Sequence, residues 1–195
     1  MTIEHVARFV PCLLLILAVL VTSARAQESY RKPSDDIVDI LTAPPLPGVS
    51  VDPTGRTMLL SERLPMPKLS DMARPMLRLA GQRIDPATNG SHRTNLVVGL
   101  MLRDLDGGNE RRVDLPEGTR IGGTRWSPDG ERIAFTITRD DGIELWVIDV
   151  ATAEARRLTD ATVNGLGGFS WLGDARSLLV HFVPDGRGSE PQRAA

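Results

Sequence analysis

The stretch Trp126-Ser127-Pro128-Asp129-Gly130-Glu131-Arg132-Ile133-Ala134-Phe135 decides the fold class of this sequence. Ser127 can open a type I turn by accepting backbone N–H groups, Pro128 presets φ at the second turn position, and Gly130 closes the turn. From Ile133 onward, apolar side chains alternate with small ones, as they do in a β-strand. The stretch therefore predicts two antiparallel strands joined by a tight turn.

The pattern recurs twice, which indicates a repeat architecture. A copy at Val51–Leu60 keeps the Asp-Pro-x-Gly turn, whereas a weaker copy at Trp171–Val180 lacks the proline and the glycine. The second and third copies begin about 45 residues apart, within the ~40–50 residues of one β-propeller blade. We therefore predict an all-β chain, with an incomplete β-propeller at 48–195 after an N-terminal signal helix. It comprises about two four-stranded blades plus the start of a third, at about 165–195.

The second blade, about residues 121–159, is predicted strand by strand. Residues 132–138 alternate, Asp140-Asp141-Gly142 supplies a hairpin turn, and residues 143–150 are apolar on both faces, as in a strand covered from both sides. Ala155 to Thr159 is expected to form an outer strand, whose paired arginines keep a solvent-exposed edge from recruiting another sheet.

The first blade is interrupted. Its second strand is predicted at Met58–Arg63 and a later strand at Asn95–Leu105, so residues 64–94 form an insertion. Within the insertion we expect a brief helix capped by Ser70, then a short extended segment near residues 77–86, and a loop up to residue 94. Such an insertion forms either a lid or contact surface on one face of the fold, or a surface loop without a role.

The amino terminus has the features of a cleavable export signal. Residues 9–21 are apolar but too few to cross a bilayer as a helix, and Ala24-Arg25-Ala26 fits a signal peptidase site. Residues 1–26 are predicted to be removed, an uncleaved membrane anchor being the alternative. This segment is the only membrane contact we expect. Residues 27–47 follow as a proline-rich leader with a short helix at Ile37–Leu41, which Ser34 can cap.

The cysteine content and the net charge limit which cellular compartment and which partners are expected for this protein. Cys12 is the single cysteine and leaves with the signal, so the mature chain has no thiol for catalysis, metal binding or a disulfide. We predict a periplasmic or secreted protein that is cleaved after Ala26. The formal net charge of −2 gives no counterion-release drive toward DNA or RNA, so no nucleic-acid partner is expected.

No catalytic constellation is evident in the sequence. Gly168-Phe169-Ser170 lacks the last glycine of a Gly-x-Ser-x-Gly nucleophile elbow and falls in a predicted strand, so Ser170 is interpreted as structural. His92 belongs to a polar loop, and His181 falls in a predicted strand as a hydrogen-bonded structural residue. The two histidines lack the spacing of zinc ligands. We predict no catalytic, cofactor-binding or metal-binding residue.

Acidic, glycine-rich and aromatic motifs also have structural interpretations. Asp104-Leu105-Asp106-Gly107 and Asp140-Asp141-Gly142 stand where strands reverse and lack the ligand spacing of a calcium loop. Gly165-Leu166-Gly167-Gly168 lacks the lysine of a phosphate-binding loop and is interpreted as a crossing between blades. Trp126, Trp146 and Trp171 are expected to pack between blades rather than to line a carbohydrate site, because two of them, Trp126 and Trp171, recur at one repeat position.

The repeat residues resemble a known blade motif. That motif is shared by TolB-type propellers and the propeller domains of prolyl oligopeptidase family serine peptidases, and its counterparts here are Trp126-Ser127-Pro128-Asp129-Gly130, Glu144-Leu145-Trp146-Val147 and Arg157-Leu158-Thr159. Two further regions resemble the leader and the first-blade insertion of the glutamyl endopeptidase-like branch of that family. They are residues 30–47 and the pair Arg74-Pro75-Met76-Leu77-Arg78-Leu79-Ala80-Gly81 and Ile84-Asp85-Pro86.

The resemblance implies the amino-terminal part of an exported serine-type endopeptidase. In the family a propeller precedes an α/β-hydrolase domain and limits which peptides reach the catalytic serine. No position here matches a triad motif, so the chain is expected to stop before the hydrolase domain and to be inactive by itself. The peptide or protein substrates of the enzyme would be bound through that hydrolase domain.

The alternative function is a stand-alone TolB-like propeller module that binds protein partners in the periplasm. For an incomplete propeller, the open blade edges also predict self-association.

Overall fold

The computed structural model describes residues 32–92, 97–186 and 188. The predicted signal, residues 1–26, lies outside these ranges, so the signal helix stays a prediction. The leader helix is present as α1 (Asp35–Thr42), and the carbonyl oxygen of Ser34 accepts N–H groups of its first turn. Within the described ranges, no helix is long and apolar enough to cross a bilayer.

The rest of the described chain is mostly antiparallel β-structure, as predicted. A second helix, α2 (Leu69–Met72), is short. The strands follow in chain order as β1 (Gly48–Val51), β2 (Thr57–Arg63), β3 (Leu77–Leu79), β4 (Gln82–Asp85), β5 (Gly90–Ser91), β6 (Val97–Asp104), β7 (Arg111–Arg112), β8 (Ile121–Trp126), β9 (Arg132–Thr138), β10 (Ile143–Asp149), β11 (Ala155–Arg157), β12 (Phe169–Trp171) and β13 (Leu178–Val180).

Two groups of four antiparallel strands make up the main sheet. β1, β2, β6 and β7 form the first group, and β8, β9, β10 and β11 form the second, where the sequence predicts four strands. β2 and β6 pair along their lengths, from Thr57 with Asp104 to Arg63 with Val97. In the residues that the structure describes, the two groups are joined by one pair, Val97 with Ile121, between β6 and β8. The sheet is therefore continuous but narrow at this junction.

Both groups contribute to one apolar core. β9 is buried on both faces, because Ala134 and Thr136 are covered as well as Ile133, Phe135 and Ile137. The sequence predicts this coverage for β10, where the burial instead alternates over the first five residues. The other fully buried large side chains of the core are Leu59, Leu100, Leu102, Ile121 and Ile148.

The third repeat copy forms a separate hairpin of β12 and β13. Its residues Leu178 and Val180 pack against a small buried cluster that includes Leu145 of β10. On the other face of the hairpin, Leu172 and Leu179 are exposed. The hairpin therefore continues the core on one side only.

The three repeat copies share one backbone pattern in their turns. The N–H of the second residue donates to the carbonyl oxygen of the seventh, at 2.9, 2.8 and 2.9 Å for Asp52–Thr57, Ser127–Arg132 and Leu172–Ser177. The fifth residue has a positive φ of 72°, 75° and 55° at Gly55, Gly130 and Ala175. The third copy thus keeps the turn without the proline and the glycine, and its alanine takes a conformation that favours glycine.

Carboxylates reinforce each turn. Burial would raise the pKa of Asp52, but hydrogen bonds from the N–H of Arg56 and the hydroxyl of Thr54 outweigh it and lower that pKa. The hydroxyl of Ser127 donates to Asp129 and lowers its pKa. The pKa of Asp174 is lowered to about 2, first by the hydroxyl of Ser177 and then by backbone N–H groups of the turn.

Replacing Ser177 with alanine is expected to raise the pKa of Asp174 from about 2 toward its ordinary value of 3.8. Because the folded-state pKa is the lower one, this carboxylate stabilises the fold fully above pH 3.8, and the contribution is lost as the pH falls through about 2. Carboxyl-detected NMR titration measures the pKa. Ser170→Ala, outside the turn, serves as the control, and an ordinary Asp174 pKa in the unmodified chain would refute the assignment.

The insertion is more ordered than the sequence predicts. α2 begins at Leu69, with Lys68 at the N-cap position and no side-chain cap, so the prediction that Ser70 caps it is wrong. In place of one extended segment and a loop, β3, β4 and β5 form a three-stranded sheet. Ala80 and Gly81, both with positive φ, make the tight turn of the first hairpin. Because alanine rarely adopts a positive φ, Ala80 does not indicate a turn in the sequence.

Indole hydrogen bonds link successive repeat copies. Trp126 Nε1 donates to Ser50 Oγ of β1 at 3.0 Å, and Trp171 Nε1 donates to the carbonyl oxygen of Arg125 in β8 at 2.9 Å. Each acceptor residue directly precedes the repeat position that the tryptophan fills in its own copy. The tryptophans thus connect the first strand of one copy to the first strand of the copy before it.

A double-mutant cycle of Trp126→Phe and Ser50→Ala is expected to give a coupling free energy of about 0.5–1.5 kcal/mol, the net contribution of one hydrogen bond. Urea unfolding of the four proteins measures it. The control cycle pairs Ser50→Ala with Trp146→Phe, because Trp146 Nε1 donates to Glu144 instead. Equal coupling in both cycles would rule out a specific bond between Trp126 and Ser50.

Candidate functional site

Ser170 lies in a strand, and His92 contacts the backbone of the insertion. Ser170 lies in β12 with an exposed side chain, paired across the hairpin with Leu179, in agreement with a strand position. His92 Nε2 lies 3.1 Å from the carbonyl oxygen of Arg74. This contact places His92 against the insertion's own backbone.

The sequence predicts His181 within a strand, but in the structure His181 lies just after one. It follows the last residue of β13 and has an exposed side chain, because the pairing with β12 ends at Val180. Its hydrogen bonds are made by the backbone, with Asn164 and Gly168. The side chain lies close to Gly167, where a Cβ atom would come within 2.5 Å of the histidine Cβ.

The acidic turns have protein partners. Asp104 Oδ1 lies 3.3 Å from Arg111 Nη2, and the Asp140 carboxylate contacts both Arg74 and Arg120. In the described residues, no group of three or more His, Cys, Asp or Glu side chains is arranged to hold a metal ion.

A cleft of about 750 Å³ lies between the insertion and the strand groups. The insertion lines it with Leu64, Lys68 and Asp71, and the segment that enters β8 lines it with Leu115 and Arg120. The lining combines apolar side chains with charges of both signs, so the cleft offers both kinds of group to a bound molecule. This cleft, with the insertion beside it, is the candidate functional site.

A charged cluster borders the cleft, and its members Asp71, Arg120 and Asp140 line it. Within the insertion, Arg74 Nε pairs with Asp85 Oδ2 at 3.0 Å. Arg74 Nη1 and Arg120 Nη2 both contact Asp140 Oδ1, at 3.4 and 2.9 Å. Arg120 Nη1 also lies 3.3 Å from Asp71 Oδ1 of α2. Ion pairs therefore connect the insertion to the turn between β9 and β10.

Close backbone contact fixes the far end of the insertion. The N–H of Gly165 donates to the carbonyl oxygen of Asn89 at 3.3 Å. A Cβ atom at Gly165 would lie 2.8 Å from Gly90 Cα and 2.7 Å from Ile143 Cδ1. The two glycines therefore allow the β5 turn to rest directly on the segment that leads into β12.

The residues of this cluster carry no local sequence pattern that marks them as a site. Arg74 and Asp140 are far apart in the chain, and no spacing rule relates them. The only available signal was that Arg74 and Asp85 both stand in the insertion motif that carries the family resemblance, and these two residues form an ion pair. The Asp-Asp-Gly turn was predicted, whereas the charge partners of Asp140 were not.

No protein-family model matches the sequence, but curated relatives do. A protein named "Probable glutamyl endopeptidase, chloroplastic" from Oryza sativa subsp. japonica is 37% identical over 183 residues, which cover 86% of this chain and 19% of the relative. The protein of the same name from Arabidopsis thaliana is 36% identical over 178 residues, or 84% of this chain and 18% of the relative.

The chain belongs to the prolyl oligopeptidase family of peptidases. Within the family it corresponds to an amino-terminal region, as the sequence resemblance predicted. The chain spans about a fifth of the length of the two plant relatives. A shorter match, 40% identical over 57 residues, covers 29% of this chain and 8% of the Bacillus subtilis protein named "Uncharacterized peptidase YuxL".

Solved structures show partial likeness. An acylaminoacyl peptidase from Pyrococcus horikoshii aligns with a TM-score of 0.42 and 17% identity, covering 70% of this chain and 17% of that one. TolB from Acinetobacter baumannii aligns with a TM-score of 0.28 and 19% identity, covering 67% of this chain and 35% of that one.

Proposed function

We propose that this chain is the β-propeller portion of a serine-type endopeptidase of its family and limits which peptides reach the catalytic serine of the parent enzyme. The observation that carries the proposal is the identity of 36–37% to two proteins named glutamyl endopeptidase over most of the chain. On this proposal the parent enzyme cleaves peptides at glutamyl residues.

The strand pattern supports the propeller interpretation. Each four-stranded group is a meander of antiparallel neighbours, as a propeller blade is. The repeated turn and the indole bond from one copy to the one before support successive blades. On this interpretation the chain holds two blades and the first hairpin of a third.

The insertion is the part of the chain that we assign to gating. It leaves the first strand group between β2 and β6, borders the cleft, and is attached to the second group by ion pairs. A peptide that enters the cleft would meet the insertion's Lys68 and Asp71 on one side and Arg120 on the other.

Catalysis is assigned to a hydrolase domain of the parent enzyme. The purified chain is therefore expected to stay unlabelled by a fluorophosphonate probe that reacts with activated serines, with a serine peptidase in a parallel reaction as the positive control. Stoichiometric labelling of any serine would show that the chain has its own nucleophile and would overturn this part of the proposal.

The parent enzyme can be sought in the gene. Sequencing downstream of the codon for Ala195 is expected to find further strand repeats and a Gly-x-Ser-x-Gly segment, and unrelated sequence would oppose a peptidase parent.

The gating role of the insertion can be tested in that parent enzyme. Replacing residues 64–92 by a short Gly-Ser linker is expected to raise cleavage of a whole protein relative to a short glutamyl peptide. Equal effects on both substrates would oppose a gating role.

Export is the third part of the proposal. The predicted signal supports a periplasmic or secreted product that begins at Gln27. N-terminal sequencing of the protein from the native host tests it, and an intact Met1 in the isolated protein would oppose cleavage after Ala26.

A further inference from the structure

The carboxylate of Asp140 stands between two arginines that belong to different parts of the fold. Arg74 comes from the insertion, and Arg120 comes from the segment that enters β8. The side chain of Asp140 is 95% exposed, whereas those of both arginines are 19% exposed. One exposed acidic group therefore receives two arginine side chains that are mostly covered by protein.

Arg74 is held in place by the insertion itself. Its Nε pairs with Asp85, which is buried and also accepts the N–H of Ala87 through Oδ1. This leaves the two Nη atoms of Arg74 directed at Asp140, where Nη2 donates to the carbonyl oxygen at 3.1 Å and Nη1 contacts the carboxylate. Arg74 is thus a fixed group that reaches out from the insertion.

Arg120 is held on the opposite side in the same way. Its Nε donates to the carbonyl oxygen of Thr138, at the end of β9. Its two Nη atoms then divide between Asp140 and Asp71 of α2. Two ion pairs therefore cross from the insertion to the rest of the fold, Arg74 with Asp140 and Asp71 with Arg120.

The apolar side chains of α2 add little to this attachment. Leu69 and Met72 of the helix are 77% and 54% exposed, and Met66 just before it is 56% exposed. The side of the insertion that carries α2 is thus held to the fold mainly by charge. Ion pairs at a protein surface are weak and are screened by salt.

We infer that Asp140 is an electrostatic latch that, together with the pair between Asp71 and Arg120, holds the insertion closed beside the cleft, and that the α2 side of the insertion opens more often when this latch is released. The far end, at Asn89 and Gly165, stays attached through its backbone bond and acts as the hinge side. The latch rests on the observed contacts alone. Its use as a gate for peptides rests on the proposed function.

Hydrogen exchange read by mass spectrometry tests the latch on the full chain. Asp140→Asn is expected to raise the exchange rate of amides in residues 69–85 about two- to tenfold, because it removes the Arg74–Asp140 pair, one of the two that attach the insertion. Asp141→Asn is the matched control, since the neighbouring Asp141 forms no ion pair in the described residues. Asp140→Glu, which keeps the charge, is expected to restore most of the protection.

A salt series on the unmodified chain gives a second measurement that needs no variant. Raising the salt from about 0.05 M to 1 M shortens the screening length to about 3 Å and is expected to increase exchange in residues 69–85 but not in β9. Equal exchange in Asp140→Asn and Asp141→Asn, or exchange that does not respond to salt, would overturn the latch. Either result would leave the peptidase assignment standing, because that assignment is tested by labelling and by the gene.

Discussion

Replacing Phe135 with alanine is expected to lower the free energy of unfolding by about 3–5 kcal/mol. Phe135 is fully buried at the centre of β9, and its ring lies 6.4 Å from that of Trp146, centroid to centroid. Both faces of β9 are covered, so the cavity left by the ring cannot be filled by small movements of an exposed side chain. Urea unfolding followed by tryptophan fluorescence measures the change.

Phe182→Ala is the matched control for this prediction. Phe182 is 41% exposed and forms one isolated bridge with Val163 at the edge of the third hairpin. Its replacement is expected to cost under about 1 kcal/mol, because little apolar surface is removed from contact. Similar losses for the two variants would mean that β9 is not the centre of the core.

Replacing Gly165 with alanine is expected to lower the free energy of unfolding by about 1–3 kcal/mol through overpacking. The added Cβ would lie 2.8 Å from Gly90 Cα, and a backbone atom in a turn cannot move aside as a flexible side chain can. Relief of the clash requires the β5 turn to lift away from the segment before β12. We therefore also expect faster hydrogen exchange at residues 88–91, read by mass spectrometry.

Gly173→Ala gives the control for crowding at Gly165. A Cβ atom at Gly173 meets nothing within 4 Å, so this change is expected to alter stability by no more than about 0.5 kcal/mol. If both alanine variants unfold at the same urea concentration as the unmodified chain, the close approach of the insertion to Gly165 does not occur in solution.

The second strand group could be predicted from sequence because its signals are local. The Ser-Pro-x-Gly turn after β8, the alternation from Ile133 and the Asp-Asp-Gly turn each act within a few residues, and β9 and β10 appear where these signals put them. Burial of both faces of β9 was not predictable, since it depends on which strands lie on either side. The sequence of a strand does not determine which strands pack against its two faces.

The insertion and the charged cluster show where local reasoning ends. Ala80 adopts a positive φ, which is uncommon for alanine, so the sequence predicts one extended segment where the first hairpin of the insertion forms. Asp140 looked like an ordinary turn residue, and its two arginine partners become neighbours only after the chain has folded. Contacts between distant positions need either a structure or a set of related sequences.

The pair that joins β6 to β8 within residues 97–186 also has a mechanical consequence. Bending the sheet at Val97 and Ile121 disturbs one backbone pairing, whereas bending it between β2 and β6 would break a whole row. Stress is therefore expected to concentrate at this junction, where the shared apolar core and the bond from Trp126 to Ser50 resist separation more than backbone pairing does. In a single-molecule pulling experiment, we expect the two strand groups to separate before either of them unfolds.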